Sequence, residues 1–145
     1  NRYAFEHHVE ELRPGGILMY NQEEFDLQPG EFNGKVVPIK VEELARSTGS
    51  PITASMVLVG ALASLASIPV AYFEDFVRAR FSRGRASDAV IIEANIKALT
   101  LGFDVAEITG YKVDELDPPA ASQGERVLIS GFQAASRRRG PIGSK

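Results

Sequence analysis

Leu12-Arg13-Pro14-Gly15-Gly16-Ile17-Leu18-Met19-Tyr20 is the stretch whose reading decides the fold. Upstream of it, Phe5, Val9 and Leu12 recur at helical spacing with Glu6, Glu10 and Glu11 between them, the pattern of a short amphipathic helix. Pro14-Gly15-Gly16 ends that helix, because proline cannot continue it and glycine accepts a tight turn. Ile17 to Tyr20 then opens straight from the turn as an unbroken apolar run, most simply a buried strand. Helix, glycine turn and strand make an αβ unit, so the class is α/β.

Downstream, Asn21 to Lys35 is polar, with Pro29-Gly30 and Asn33-Gly34 as turn signals. Val36-Val37-Pro38-Ile39 is the next strand, and Pro38, which has no N–H for a ladder, places it near an edge or a strand end. Val41 to Arg46 reads as a helix with Val41, Leu44 and Ala45 on one side. Three helices follow. Ala54 to Ile68 is rich in small residues (Gly60, Ala61, Ala63, Ser64, Ala66, Ser67) and invites the close approach of another backbone. Val70 to Phe81 has Phe73, Phe76, Val77 and Phe81 at helical spacing. The third is capped by Ser87-Asp88, carries Val90, Ile91, Ala94, Ala98 and Leu101 on its apolar face, and stops at Gly102.

The pattern weakens after Leu101. Residues 104–125 read as a linker, with Asp117-Pro118-Pro119-Ala120-Ala121-Ser122 as its most linker-like part. Arg126-Val127-Leu128-Ile129-Ser130-Gly131 is a strand and tight turn, the start of a new unit over 126–135. Residues 136–145 have no apolar period and are expected to be a disordered or non-native tail. The chain begins with Asn1, not Met, which suggests a cleavage or fragment boundary. Two strands and several helices do not close a doubly wound sheet. The expectation is therefore that residues 1–103 form the C-terminal half of a Rossmann-like domain with a helical cluster, completed by βα units upstream of Asn1.

Composition narrows the function classes. The 145 residues suit one ordinary domain, with 44% hydrophobic and 24% charged residues as in soluble globular proteins. Net charge is −3, and Arg137, Arg138, Arg139 and Lys145 at the end hide a more acidic body. That balance argues against nucleic acid or an anionic membrane as a partner. There is no cysteine, hence no thiolate for an iron–sulfur cluster, no Cys-type zinc site and no disulfide. The run Ala54 to Ala66 is well short of the ~20 residues that span a bilayer, and the polar start shows no signal peptide. A cytoplasmic location is the expectation.

Set in order, several pieces resemble one family. Leu12 to Leu18 resembles an "L-K-P-G-G" turn and strand, and Ser55-Met56-Val57-Leu58-Val59-Gly60-Ala61-Leu62 resembles an "N-M-V-A-L-G-A-L" helix. Phe76 to Arg85 matches a helix ending in a basic loop, Glu93 to Leu99 matches "E-A-N-x-x-A-L", and Gly124 to Gly131 resembles a junction into a following domain. These belong to the gamma segment (domain III) of pyruvate- and 2-oxoglutarate-type 2-oxoacid:ferredoxin oxidoreductases, and the junction points to a gamma–alpha fused subunit. Two departures stand out: Ser55 occupies the usual Asn position, and after Gly131 the expected alpha-domain sequence gives way to Ser136-Arg137-Arg138-Arg139. The resemblance implies an enzyme that oxidatively decarboxylates a 2-oxoacid with coenzyme A and reduces ferredoxin. Thiamine diphosphate, magnesium and iron–sulfur clusters would lie mainly on other domains or subunits, alpha and beta. A supporting role follows for this chain.

Candidate sites are few. Arg78, Arg80, Arg83 and Arg85 surround Ser82 and Gly84. Guanidinium groups grip phosphates bidentately, so the cluster suits coenzyme A phosphates, or else an acidic neighbouring subunit; the plain alternative is a solvated set that favours a helix C-terminus. His7, His8 and Glu11 have metal-ligand chemistry but sit on a short surface helix, which favours a structural reading. Gly15-Gly16 lies between helix and strand, the reverse of a phosphate loop. Asn95 would matter if it hydrogen-bonded a neighbouring loop. No catalytic triad or acid–base pair suggests itself, so catalysis by this chain alone is not expected. The rival reading is an independent small-ligand or nucleotide-binding α/β module, which calls for a glycine-rich strand-to-helix loop that residues 1–145 do not contain.

Overall fold

The computed structural model describes residues 1–113. In chain order it has α1 (Arg2–His8), a 3-10 turn at Val9–Glu11, β1 (Ile17–Asn21), β2 (Lys35–Ile39), α2 (Val41–Ser47), a second 3-10 turn at Pro51–Thr53, α3 (Ala54–Leu65), α4 (Val70–Phe81) and α5 (Asp88–Glu107). The expected α/β class holds. β1 and β2 pair in parallel, with Ile17 opposite Lys35 and Asn21 opposite Ile39. The expected strands, α2 and α4 lie within a residue or so of their sequence boundaries.

The sheet starts at two apposed glycines. The Gly16 carbonyl accepts from the Lys35 N–H at 2.8 Å, and a β-carbon on Gly34 would meet that same carbonyl oxygen at 2.5 Å. The connection from β1 to β2 contains no helix among its residues 22–34. Phe25 pins it in place, its ring centroid 4.8 Å from Tyr20 and 5.8 Å from Phe5. Arg2 reaches Glu31 from α1 with both terminal guanidinium nitrogens. Val37 and Ile39 of β2 join Val41 and Ala45 of α2 and the α3–α5 pair in one core.

α3 and α5 cross at their glycines. A β-carbon on Gly60 would stand 1.9 Å from the Leu99 carbonyl oxygen, and one on Gly102 would stand 1.9 Å from that of Val57. Two side-chain-free positions thus let each backbone lie against the other, and Val57, Ala61, Leu65, Ala98, Leu99 and Ala106 are buried around them. The small residues of α3 do serve close approach, as expected.

Three expectations are corrected here. Gly102 does not stop α5, which runs on to Glu107; the glycine is needed for the crossing, and a backbone contact with another helix leaves no local signature. Residues 104–107, read as the opening of a linker, are therefore helical. Tyr111 packs on the core, and the Val113 N–H bonds the Leu65 carbonyl at 2.8 Å. Lys112 donates to the Ser64 carbonyl at 3.0 Å and pairs with Glu107, whose carboxyl is held below its ordinary range by Lys112 and then by the Ser64 hydroxyl. The rest of the expected linker, the strand at Arg126 and the tail at 136–145 lie outside the described residues.

The third correction concerns the end of α3, which stops at Leu65 and not at Ile68. Ser67 adopts φ +57, its N–H bonds the Ser64 carbonyl at 3.0 Å, and the Ile68 N–H bonds the Ala63 carbonyl at 2.9 Å. This pair of bonds closes a helix through a left-handed residue, a position that usually holds glycine. Serine there carries a steric cost of its β-carbon. Ser67→Gly is accordingly expected to stabilise the protein by roughly 0.5–1 kcal/mol, after the added freedom of the unfolded chain is set against the relief of strain. A lower urea midpoint in the variant would contradict this helix ending.

Candidate functional site

The arginine cluster is built where α4 turns into α5. Ser82 leaves the helix in an extended conformation (ψ 98), its N–H still bonded to the Arg78 carbonyl at 3.0 Å. Gly84, at φ +77, supplies the left-handed step that reverses the chain. The loop closes on Asp88. One oxygen of its carboxylate accepts from the Arg83 N–H at 2.6 Å and from the Arg85 N–H at 3.0 Å. Asp88 is only 8% exposed, and these N–H groups, Arg85 first and Arg83 second, hold its carboxyl below the ordinary aspartate range.

The expected Ser87-Asp88 cap is thus corrected. Ser87 makes no side-chain cap bond, and Asp88 reaches backwards to order the loop before its helix. A ring of backbone N–H groups around an anion is a phosphate cradle in other settings. In this chain its own carboxylate fills it. What the loop offers an outside anion is the side chains of Arg78, Arg80, Arg83 and Arg85, all exposed, of which Arg78 makes a loose contact with Glu74 at 3.7 Å.

The same arrangement recurs after β2, where doubly wound proteins commonly place phosphate. The second and third N–H groups of α2, those of Glu42 and Glu43, are taken by a carboxylate oxygen of Glu23 at 2.5 and 3.2 Å, and the first, that of Val41, by the Asn21 side-chain oxygen at 3.4 Å. Arg46 of the same helix holds the other Glu23 oxygen at 3.0 Å.

Sequence reasoning missed a groove of about 840 Å³ between the Pro51–Thr53 turn, the start of α3, the end of α4 and the first half of α5. Ile52, Met56, Phe81, Val90 and Ile91 line it, with Ser55, Asn95 and Lys97 among its polar residues. Val90 and Ile91, read as core-facing, are exposed here, Val90 by 70%. Their helical spacing was right; at the start of α5 that side faces the groove, and the core contacts begin near Ala98. Phe81 immediately precedes Ser82, so the groove adjoins the arginine loop. Ser55, Met56, Glu93, Ala94 and Asn95, drawn from two of the sequence pieces that carried the family likeness, all line it.

Other candidates settle differently. His8, not His7, contacts Glu11, at 2.9 Å, while His7 bonds the Tyr3 carbonyl at 3.0 Å. Among the described residues no three His, Cys, Asp or Glu side chains are grouped to hold a metal ion. Asn95 donates to the Ile91 carbonyl one turn back at 2.7 Å, and not to a neighbouring loop. No described helix is long and apolar enough to cross a membrane.

The family described as pyruvate ferredoxin/flavodoxin oxidoreductase matches residues 1–105. The chain belongs to this oxidoreductase family. Among solved structures, this oxidoreductase segment is similar to the 2-oxoglutarate:ferredoxin oxidoreductase from Magnetococcus marinus, solved with 2-oxoglutarate, coenzyme A and succinyl-CoA bound. The TM-score is 0.62 at 21% identity, over 81% of this chain and 21% of that one. The segment therefore spans about a fifth of that relative's length, and the likeness shows the fold. No curated protein matches. The recognition made from Leu12 to Leu99 is borne out at the level of the family and of the fold.

Proposed function

We propose that this chain is a structural and assembly part of a thiamine-diphosphate-dependent 2-oxoacid:ferredoxin oxidoreductase, an enzyme that converts a 2-oxoacid to its acyl-CoA and reduces ferredoxin. The observation that carries this reading is the family match along residues 1–105, which takes in the whole crossing of α3 and α5 and the arginine loop. Thiamine diphosphate, magnesium and the iron–sulfur clusters would be held by companion domains, since a sequence without cysteine has no thiolate to give a cluster. A cytoplasmic location fits that role.

The arginine loop has the donors that coenzyme A phosphates require. Its backbone is occupied by Asp88, so the guanidinium groups of Arg83 and Arg85 would make the contact, with Arg78 and Arg80 adding charge. The adjoining groove, with its apolar lining, suits the arm of such a ligand.

Two measurements test the proposal. The intact protein should copurify with thiamine diphosphate and cluster-bearing partners; a lone monomer without either ends the assembly reading. In the assembled enzyme, Arg83→Glu with Arg85→Glu should raise the KM for coenzyme A by roughly tenfold or more, the worth of one charged hydrogen bond. Unchanged KM would remove the ligand role from this loop and leave the assembly reading standing.

A further inference from the structure

β1 has one edge that β2 does not use. The Lys35 N–H donates to the Gly16 carbonyl at 2.8 Å and the Gln22 N–H to that of Ile39 at 2.9 Å, in a register that sets Ile17 opposite Lys35 and Asn21 opposite Ile39. In a parallel pair, alternate residues of a strand turn their peptide groups to opposite sides. Lys35, Val37 and Ile39 therefore bond β1, whereas Ile17 and Met19 turn their N–H and C=O away from β2. Among the described residues these groups meet no hydrogen-bond partner and no third strand joins the sheet. The opposite edge is shut. Val36 and Pro38 face outward there, and Pro38 has no N–H for a ladder.

A groove of about 450 Å³ runs along the open edge. Leu18 and Tyr20 line it from one face of β1 and Met19 from the other, which places it at the strand's margin. Phe5 of α1 and Leu58 of α3 are its walls. Phe25 joins Phe5 to Tyr20 on the first face, and Ile17 and Met19 pack on the core beside Val57 of α3 on the second. Peptide groups repeating at strand spacing are satisfied by another strand, since a helix spends its own N–H and C=O internally. Walls that are apolar on both sides call for side chains that are apolar in both directions, the near-continuous pattern of a strand inside a parallel sheet.

We propose that the free edge of β1 takes a further β-strand, apolar on both faces, seated in the groove between Phe5 and Leu58 and supplied by a part of the oxidoreductase outside residues 1–145. This chain spans about a fifth of the oxidoreductase structure it resembles, so such enzymes have chain to supply. Naming that source rests on the function proposed above; the edge and the kind of segment it takes do not. The sequence pattern left open on which side further strands would join. With Pro38 closing the other edge, β2 becomes the outermost strand of a larger sheet.

The test is made on the assembled enzyme. Residue-resolved hydrogen exchange compares the Met19 amide, which faces away from β2, with that of Tyr20, which bonds β2. A seated strand should slow both alike, whereas an open edge leaves Met19 faster on the order of a hundredfold. p-Benzoylphenylalanine in place of Phe5 then names the occupant: irradiation should link it to an apolar segment outside residues 1–145. A fast Met19 amide overturns the proposal, and so does a link confined to residues 1–145, a link to a second copy, or no link. 2-Oxoacid-dependent ferredoxin reduction is measured on the unsubstituted enzyme. Activity with a fast Met19 amide sinks the added strand alone, whereas a slow amide and the link without activity uphold it and sink the proposed function.

Discussion

Gly102→Ala is expected to lower stability by about 3 kcal/mol, the upper end of what overpacking a core costs. The single methyl would fall 1.9 Å from the Val57 carbonyl oxygen, and its nearest neighbours are all backbone atoms of α3 that cannot swing away. The sign of the effect is diagnostic. Alanine in a helix interior is favoured over glycine by roughly 1 kcal/mol, so a chain in which α3 and α5 stood apart would gain stability from this change. Gly60→Ala should behave alike, against the Leu99 carbonyl. Because both glycines serve one crossing, the double variant should cost less than the sum of the singles. Urea unfolding of the three variants checks all of this, and a raised midpoint for either single change would refute the crossing.

Asp88→Asn should loosen the arginine loop and soften the acid sensitivity of the fold. With the carboxylate gone, the Arg83 and Arg85 N–H groups lose a charged acceptor, and their hydrogen exchange should quicken on the order of tenfold or more. The pH dependence follows from a folded-state pKa lowered below the reference value of 3.8. Asp88 then contributes its full stabilisation above the unfolded value, and that contribution fades as pH falls below about 4 through the folded value. The urea midpoint of Asp88→Asn should therefore decline less between pH 5 and 2.5 than that of the parent. Glu31 and Glu107, also lowered, Glu31 chiefly by Arg2 and Glu107 chiefly by Lys112, keep part of the acid slope in both proteins. An unaltered slope with unaltered exchange at Arg83 and Arg85 would show that the loop does not depend on Asp88.

The arginine cluster illustrates how far a sequence reading reaches. Four guanidinium groups within eight residues are visible in the chain itself, and so is the helix that delivers them. Their support was not. Ser87-Asp88 has the residue types of a cap, and a cap looks forward into its helix; whether an aspartate looks back depends on the path of the loop. The groove was hidden for a similar reason. Val90 and Ile91 obey helical periodicity, but periodicity states only that residues share a side, not what lies beyond it.

Local chemistry by itself determined the α/β class, both strands, the extents of α2 and α4, and the family likeness, because turn residues and apolar period act over a few neighbours and survive whatever packs on them. Only the tertiary structure decided what the glycines, serine and acids were for. Gly102 reads as a helix stop and is a helix crossing; Ser67 reads as helix and is its end; Asp88 reads as part of a helix cap and fills a backbone anion site at the arginine loop, as Glu23, lying in a polar stretch, does at α2. The partners of Gly102 and Glu23 lie far along the chain, where no short-range pattern reaches, and those of Ser67 and Asp88, though only three to five residues away, depend on the path that the backbone takes through its turn.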